Sequence, residues 1–495
     1  ASRGLGDVYK RQILFLILLK ETIFSVFFLQ FIEKSLYFSS YSFFVTMSNG
    51  TSKKMKKQGT RYMEKKQKII LGATSALTVV ILILSLFFVI RAYTKKEPII
   101  PEKKITEKTK EPMDDKQQLV TQAKNLAQSY DYDQAIALLE KNSKNGSAET
   151  QQLLQTLKKE KEQLIDWSDP TQISHVFFHS LIVDPQKAFH SQQSQGYKDY
   201  MVTVEEFNRS IEQLYQNDFV LVNLNDLIQK DEQGNLSFNG LALPEGKKPL
   251  VLSQDDVSYY EYMDNSGFPS RLVVSNNNEI KNVYKENDKE EIGDFDMVPL
   301  IDAFVKKHPD FSYRGAKGTL ALTGYNGVLG YRTSKSQYGD NEKTKKEIEE
   351  AKKVADQLKK DGWSFASHTW GHLNMTQASL EDVKKDNELW QQEVAPILGK
   401  TNILIYPFGA DISDWQPYSA ENQKFVYLKS QGFDIFCNVD ASTPAWGQLG
   451  TDFYRNARIN IDGIRFQSDL DGQNPILDPF INVHDVYDKE ARESA

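Results

Sequence analysis

Two adjacent carboxylates, Asp255 and Asp256, close the apolar run 249–252 after Ser253-Gln254. Neighbouring carboxylates at a strand end repel unless a cation or a shared proton relieves them. Taken alone, such a pair is more often a solvated turn. The run 363–366 leads into Ser367-His368-Thr369-Trp370-Gly371-His372. Histidines four apart share a face if the segment turns helically, so both imidazoles reach one metal ion. The run 403–406 ends in Tyr406-Pro407-Phe408-Gly409. This is a rigid turn whose backbone N–H groups either face a site or serve only the turn. His484, followed by Asp485, closes the run 480–483. A histidine at a last strand end is a candidate general acid, with a capping or core role as the alternative. The single cysteine, Cys437, excludes an intramolecular disulfide and thiolate zinc sites of the ribbon or finger type. Any metal must therefore be held by His, Asp or Glu.

The elements that must position these groups alternate in type. Strands are expected at 176–178, 219–222, 249–252, 319–323, 363–366, 403–406, 434–438 and 480–483, with helices at 204–216, 297–307, 341–360 and 380–397. Strands alternating with helices imply a parallel α/β sheet or barrel. In such folds reactive residues collect at strand C-terminal ends, where each polar cluster above falls. Between the first two clusters, 257–337 reads as an insert. It contains a β-hairpin with an Asn-rich turn in SRLVVSNNNEIKNVY, and Tyr259, Tyr260, Tyr325 and Tyr331 as candidates for stacking on sugars.

The ordered set Asp-Asp, His-x-x-x-His, Pro-Gly turn and late His resembles the polysaccharide deacetylase (NodB-homology) family. The resemblance runs from about 173 to 487 and includes the entry segment HVFFHSL with His179. It implies a distorted (β/α) barrel of about seven strands and removal of acetyl groups from a glycan. It also implies roles for Asp255 as catalytic base, for Asp256, His368 and His372 as ligands of a divalent metal such as Zn²⁺, for Tyr406 as backbone oxyanion donor, and for His484 as general acid. The sequence departs from the family where an Arg usually opens the third motif, because Ile405 stands there; Arg458 in RNARINI is the candidate replacement. The first motif is also altered, to Ser253-Gln254-Asp255-Asp256-Val257.

The rest of the chain places this domain, 169–495, on a membrane. The uncharged run 69–90 is long enough, at about 1.5 Å per residue, to cross a ~30 Å hydrocarbon layer. The denser Lys/Arg cluster lies before it, in 1–68, which predicts a single span with the bulk of the chain outside the cell. The opening ASRGLGDVYKRQ resembles a translated sequencing-adapter stretch, so translation is expected to start at Met47, Met55 or Met63. Residues 91–113 are Lys/Glu/Pro-rich and read as a stalk. Residues 114–168 carry apolar positions at helical spacing and read as a small all-α helical hairpin resembling a tetratricopeptide unit. At 495 residues there is room for one large or two to three ordinary domains. The net charge of −7 gives no sign of a nucleic-acid partner. An acetylated polysaccharide is the expected partner. Three activities fit the sequence: N-deacetylation of an N-acetylglucosamine-containing cell-wall or extracellular polysaccharide, hydrolysis of an O-acetyl ester or another small amide at the same site, and glycan binding without catalysis.

Overall fold

A computed structural model of the chain describes residues 115–142, 147–286 and 289–493. The expected span 69–90, its basic flank and the stalk lie outside these residues. Among the described residues no helix is long and apolar enough to cross a membrane.

Three helices come first: α1 (Asp115–Gln128), α2 (Tyr132–Lys141) and α3 (Ala148–Glu162). The sequence predicts a hairpin there, and the structure adds a third helix. Asp131 and Ser147 cap α2 and α3 by accepting from the backbone amides of Gln134 and Thr150. The Tyr130 hydroxyl donates to the Asp310 carbonyl (2.7 Å), and Arg314 reaches Asp133 (3.1 Å). Both anchors precede the strand at 318–322, so the helices brace the end of the sheet where strands begin.

The main sheet is built from β1 (Ser174–Phe178), β2 (Phe219–Leu221) and β3 (Lys248–Gln254). Helix α4 (Val204–Gln216) leads into β2, and Thr203 and Glu206 close its first turn as a reciprocal capping box. A smaller antiparallel sheet follows: β4 (Pro269–Val274), β5 (Ile280–Glu286) and β6 (Lys289–Gly293). The expected Asn-rich hairpin is its first half. Then come α5 (Met297–Lys307), β7 (Gly318–Leu322), α6 (Glu342–Lys360), β8 (Trp363–Ser367), α7 (Leu380–Glu393), β9 (Ile403–Ile405), α8 (Gln423–Ser430) and β10 (Ile435–Cys437). The chain closes with β11 (Gly447–Leu449), β12 (Tyr454–Asn456), β13 (Ile459–Asn460), α9 (Gly463–Leu470) and α10 (Val483–Val486). Because α5 and β7 belong to the main alternation, only the part of 257–337 before α5 decorates the sheet.

Among the described residues the main sheet has ten strands, in the order β11-β12-β10-β9-β8-β7-β3-β1-β13, with β2 also paired to β3. All neighbours are parallel except β11 with β12. Strands β12 and β13 lie on one bent run. Its first half bonds β10, and Arg458 bridges to Val439. Its second half pairs with β1 at the far end of the order. That run draws the two ends of the sheet together, which makes a curled α/β sheet consistent with a distorted barrel. The sheet strands are apolar on both faces: β1, β7, β9 and β10 are buried at every position, as expected for parallel strands covered by helices.

The expected strand at 480–483 does not form. Phe480 stacks on Phe219, the first residue of β2, at 5.2 Å between ring centroids. The chain then enters α10, packed beside α4. The place of a last sheet strand is taken by the bent run 454–460.

Candidate active site

Asp255 and Asp256 leave β3 toward the same pair of histidines, with Asp255 3.9 Å from the His368 Nε2 and Asp256 3.9 Å from the His372 Nε2. Asp255 is bonded at its amide to the Phe178 carbonyl (2.9 Å), which ties the end of β3 to the end of β1. Its carboxylate is buried and held by both arms of Arg458, at 2.7 and 2.9 Å. Burial alone would push this carboxyl up. The charges of Arg458 and His368 and the paired hydrogen bonds from Arg458 outweigh it, so the group lies well below the usual carboxylate range. Arg458 thus reaches Asp255 from the bent strand, while position 405 carries Ile. It is fully buried, with its guanidinium 4.0 Å from the centre of the Phe177 ring. Beneath it, His175 bonds Asn456 (2.7 Å) and Ser253 (2.8 Å), and Ser253 receives a further contact from Arg458 (3.3 Å).

Asp256 has a left-handed backbone (φ 61°). Its carboxylate accepts from the Tyr260 hydroxyl at 2.5 Å, and Tyr260 also bonds Thr323. Each of the two neighbouring carboxylates thus has its own donor, which answers the repulsion between them.

His368 and His372 converge without a helix. The segment after β8 is an irregular loop in which Thr369 (φ 58°) and His372 (φ 54°) are both left-handed. The helical turn expected from the four-residue spacing is not what brings the rings together. Asp386 of α7 holds the loop by accepting from the backbone amides of Trp370 (2.6 Å) and Gly371 (2.7 Å). Left-handed backbone in non-glycine residues is uncommon and collects at sites that the surroundings over-determine. Here Asp256, Thr369, His372 and Phe408 all have it.

The donor set of Asp256, His368 and His372 fits a metal ion. One ligand atom from each lies within 4.8 Å of the others. The His368 Nδ1 donates to the Ile405 carbonyl (2.8 Å), which leaves Nε2 with a free lone pair, the usual outer partner of a metal-bound imidazole. Burial holds the His368 ring down at about 4 against the pull of Asp255 and Asp256, so it is a neutral ligand at physiological pH. The Tyr260 bond fixes one oxygen of Asp256, and the other lies 3.9 Å from the His372 Nε2.

Two expected residues are elsewhere. The Tyr406 amide donates to the Cys437 carbonyl (2.9 Å) in the sheet, and its side chain is buried against Tyr418 (2.8 Å). It has no free N–H for a substrate. Phe408, two residues on, is the member of the turn that reaches the site. It is 68 % exposed, and its ring centre is 4.4 Å from that of His372. Gly409 completes the turn at φ +65°, where a Cβ would meet the Val439 side chain at 2.5 Å.

His484 is exposed on α10. That helix follows Phe480, whose carbonyl accepts from Asn217 (2.8 Å) where β2 begins. In register, β2 begins opposite Lys248, and Asp255 is seven positions further, roughly 20 Å along the strand. His484 therefore sits at the opposite end of the sheet. A third histidine at the reactive end, besides His368 and His372, is His179, directly after β1, whose Phe178 is in register with Gln254. Its imidazole acts electrostatically on both Asp255 and the buried Asp462 after β13. The signal for His179 was in the sequence, since it follows an apolar run as Asp255 does. For Asp386 there was none, because nothing local separates it from other acids on an exposed helix.

Of the tyrosines expected to stack on sugars, Tyr259, Tyr260 and Tyr331 are buried. They bond Asp296, Asp256 and the Leu272 carbonyl respectively.

The family model for polysaccharide deacetylase matches residues 341–425, the stretch that carries both histidines, Asp386 and the 407–409 turn. Among solved structures the chain is similar to the Streptococcus pyogenes deacetylase PplD in complex with acetate, at 14% identity and a TM-score of 0.33, covering 62% of this chain and 99% of that one. No curated protein matches. The family match falls on the segment that supplies two of the three metal-type ligands.

Proposed function

We propose that the protein is a metal-dependent N-deacetylase of an N-acetylglucosamine-containing cell-wall or extracellular polysaccharide, held at the outer face of the membrane by the span 69–90. The observation that carries the chemistry is the two-armed Arg458–Asp255 pair beside the Asp256, His368 and His372 donors. A glycan-binding protein without catalysis has no need of an ionised, oriented base next to a metal-type triad. The triad would hold a divalent cation, and zinc suits its two imidazoles and one carboxylate; when bound, the ion supplies Lewis acidity and lowers the pKa of water toward ~7.

The chain's own residues do the rest. Asp255, kept ionised by Arg458, takes the proton of the attacking water. The backbone amide of Phe408 is assigned as donor to the developing oxyanion, in place of Tyr406. His179, with Asp462 behind it, gives a proton to the departing sugar amine, since an unprotonated amide ion is too basic to leave. The C–N bond breaks, and the products are acetate and a glucosamine residue.

The test is acetate release by the full-length protein from chito-oligosaccharides and peptidoglycan, with Zn²⁺ and with chelator. Chelation and Asp255→Asn should each abolish release. His179→Ala should lower the rate by roughly 10²-fold or more, while His484→Ala leaves it unchanged. Release that survives chelation would overturn the metal reading. A large loss in His484→Ala with none in His179→Ala would overturn the assignment of the acid. An O-acetylated glycan run alongside separates ester from amide hydrolysis.

A further inference from the structure

Behind the reactive end of the sheet lies a buried polar cluster that the chemistry proposed above leaves unused. Gln254 closes β3 and is fully buried, in register between Phe178 of β1 and Leu320 of β7. Its side-chain NH₂ donates to the His179 carbonyl (3.3 Å) and to Asp296 Oδ1 (2.7 Å). Both neighbours are acceptors, which fixes the orientation of the amide. Asp296 is also fully buried and caps α5. Its Oδ1 accepts further from the backbone amides of Met297 (2.8 Å) and Leu181 (3.1 Å), and its Oδ2 from the Tyr259 hydroxyl (2.7 Å). Tyr259 has a left-handed backbone (φ 48°), and its hydroxyl accepts in turn from Asn282 of β5 (3.1 Å). These donors to Asp296 are all neutral. Burial raises its carboxyl to about 6, against the pull of those hydrogen bonds.

Packing alone does not call for these residue types. An apolar side chain would fill position 254 without burying an amide, and a carboxylate buried without a cation is unfavourable. What the cluster does is tie together three segments that carry the chemistry: 179–181 after β1, the end of β3, and the loop that runs from Asp256 to Tyr259. We infer that Gln254 and Asp296 are positioning residues that hold His179 in place against Asp255 for proton transfer to the departing amine. The inference rests on the deacetylase reading above, in which His179 is the acid. Gln254 stands one residue before the base and is bonded to the backbone of the acid, so the two groups share one anchor. Asp296 holds the same segment two residues further on, at the Leu181 amide, and keeps the Gln254 NH₂ turned toward His179. Neither side chain is bonded to Asp256, His368 or His372 in the contacts described, so their work is separable from metal binding.

The test is a double-mutant cycle on the full-length protein, with acetate release from chito-oligosaccharides measured in Zn²⁺. Gln254→Leu, a change of similar volume, should lower kcat by roughly 10–100-fold, the scale of a catalytic group displaced by about 1 Å. KM and the Zn²⁺ affinity, read by competition with a fluorescent chelator, should stay within about twofold. In a His179→Ala background Gln254→Leu should cost less than about twofold more, because both changes then act through one group. A lesion of general structure would instead multiply with His179→Ala. Asp296→Asn keeps the volume and one acceptor oxygen, and should give a smaller loss with the same dependence on His179; should Gln254→Leu not fold, the cycle with Asp296→Asn decides. An unchanged kcat, a loss that multiplies fully with His179→Ala, or a loss explained by weakened Zn²⁺ binding would overturn the positioning role while the deacetylase reading stands. A wild-type protein that releases no acetate, or His179→Ala at the wild-type rate, would remove the underlying reading and this inference with it.

Discussion

Arg455 and Arg458 lie three residues apart on one bent strand, both fully enclosed, and each faces a buried aspartate. Both draw their aspartate toward the charged form, yet the outcomes are opposite. Arg458 gives both arms to Asp255 and holds that carboxyl well below its ordinary range. Arg455 gives Asp411 a single contact at 3.0 Å and spreads its other donors over Gln416, Gln448 and the Asp414 carbonyl. Burial then wins at Asp411, whose carboxyl is raised in spite of the arginine. The same pair of residue types makes an ionised carboxylate in one place and fastens a loop in the other. What differs is whether the guanidinium fork is matched by one carboxylate or divided among carbonyls.

The comparison breaks hardest at Arg458. Arg458→Met leaves Asp255 buried without its cation, and removing one partner of a buried pair costs about 3–5 kcal/mol. Acetate release should fall by roughly 10²–10³-fold, the scale of a general base, with denaturant unfolding shifted to match. Lysine cannot reproduce a two-armed contact, so Arg458→Lys should recover the charge and little of the rate. Full activity in that variant would show that orientation of Asp255 does not matter.

A smaller effect is expected at Asp386, which shapes the histidine loop without touching a ligand atom in any bond described above. Asp386→Asn weakens two backbone anchors and should lower metal affinity by about 10–100-fold, the range for outer-shell partners. Competition with a fluorescent chelator measures it, and unchanged affinity would mean that the loop holds its left-handed turns unaided.

The smallest effect on chemistry belongs to Arg455. Arg455→Met should cost about 1–3 kcal/mol, because Asp411 loses one hydrogen-bond partner and keeps the Ser413 amide and the Tyr418 hydroxyl. The rate constant for acetate release should change by less than about tenfold, the equivalent of roughly 1.4 kcal/mol. A drop as large as that for Arg458→Met would erase the distinction between the two arginines.

Much of this was readable along the chain, and the failures have physical causes. The boundaries of α4 and α5 were legible because caps and apolar periodicity are local. The alternation of strands and helices announced the α/β class, and Asp256, His368 and His372 stood out because each follows an apolar run. Arg458 could be suspected only because position 405 lacked an arginine. By contrast, 480–483 has the composition of a strand but is held as loop and helix by packing against Phe219 and α4. Tyr406 and Phe408 both looked like turn residues. Which of them spends its amide in the sheet depends on a partner at Cys437, and the sequence spacing does not specify that pairing.

The sequence by itself therefore determined which residues could do chemistry, because strand-end acids and histidines are set by local pattern. Only the tertiary structure decided which of them meet. His179 and His484 each follow an apolar run, yet parallel pairing of β1 with β3 carries the first to Asp255, and packing against Phe219 leaves the second at the other end. Arg458 reaches Asp255 from 203 residues away because one strand bends to join both ends of the sheet. Such convergence is a property of long-range register, which no local run of residues encodes.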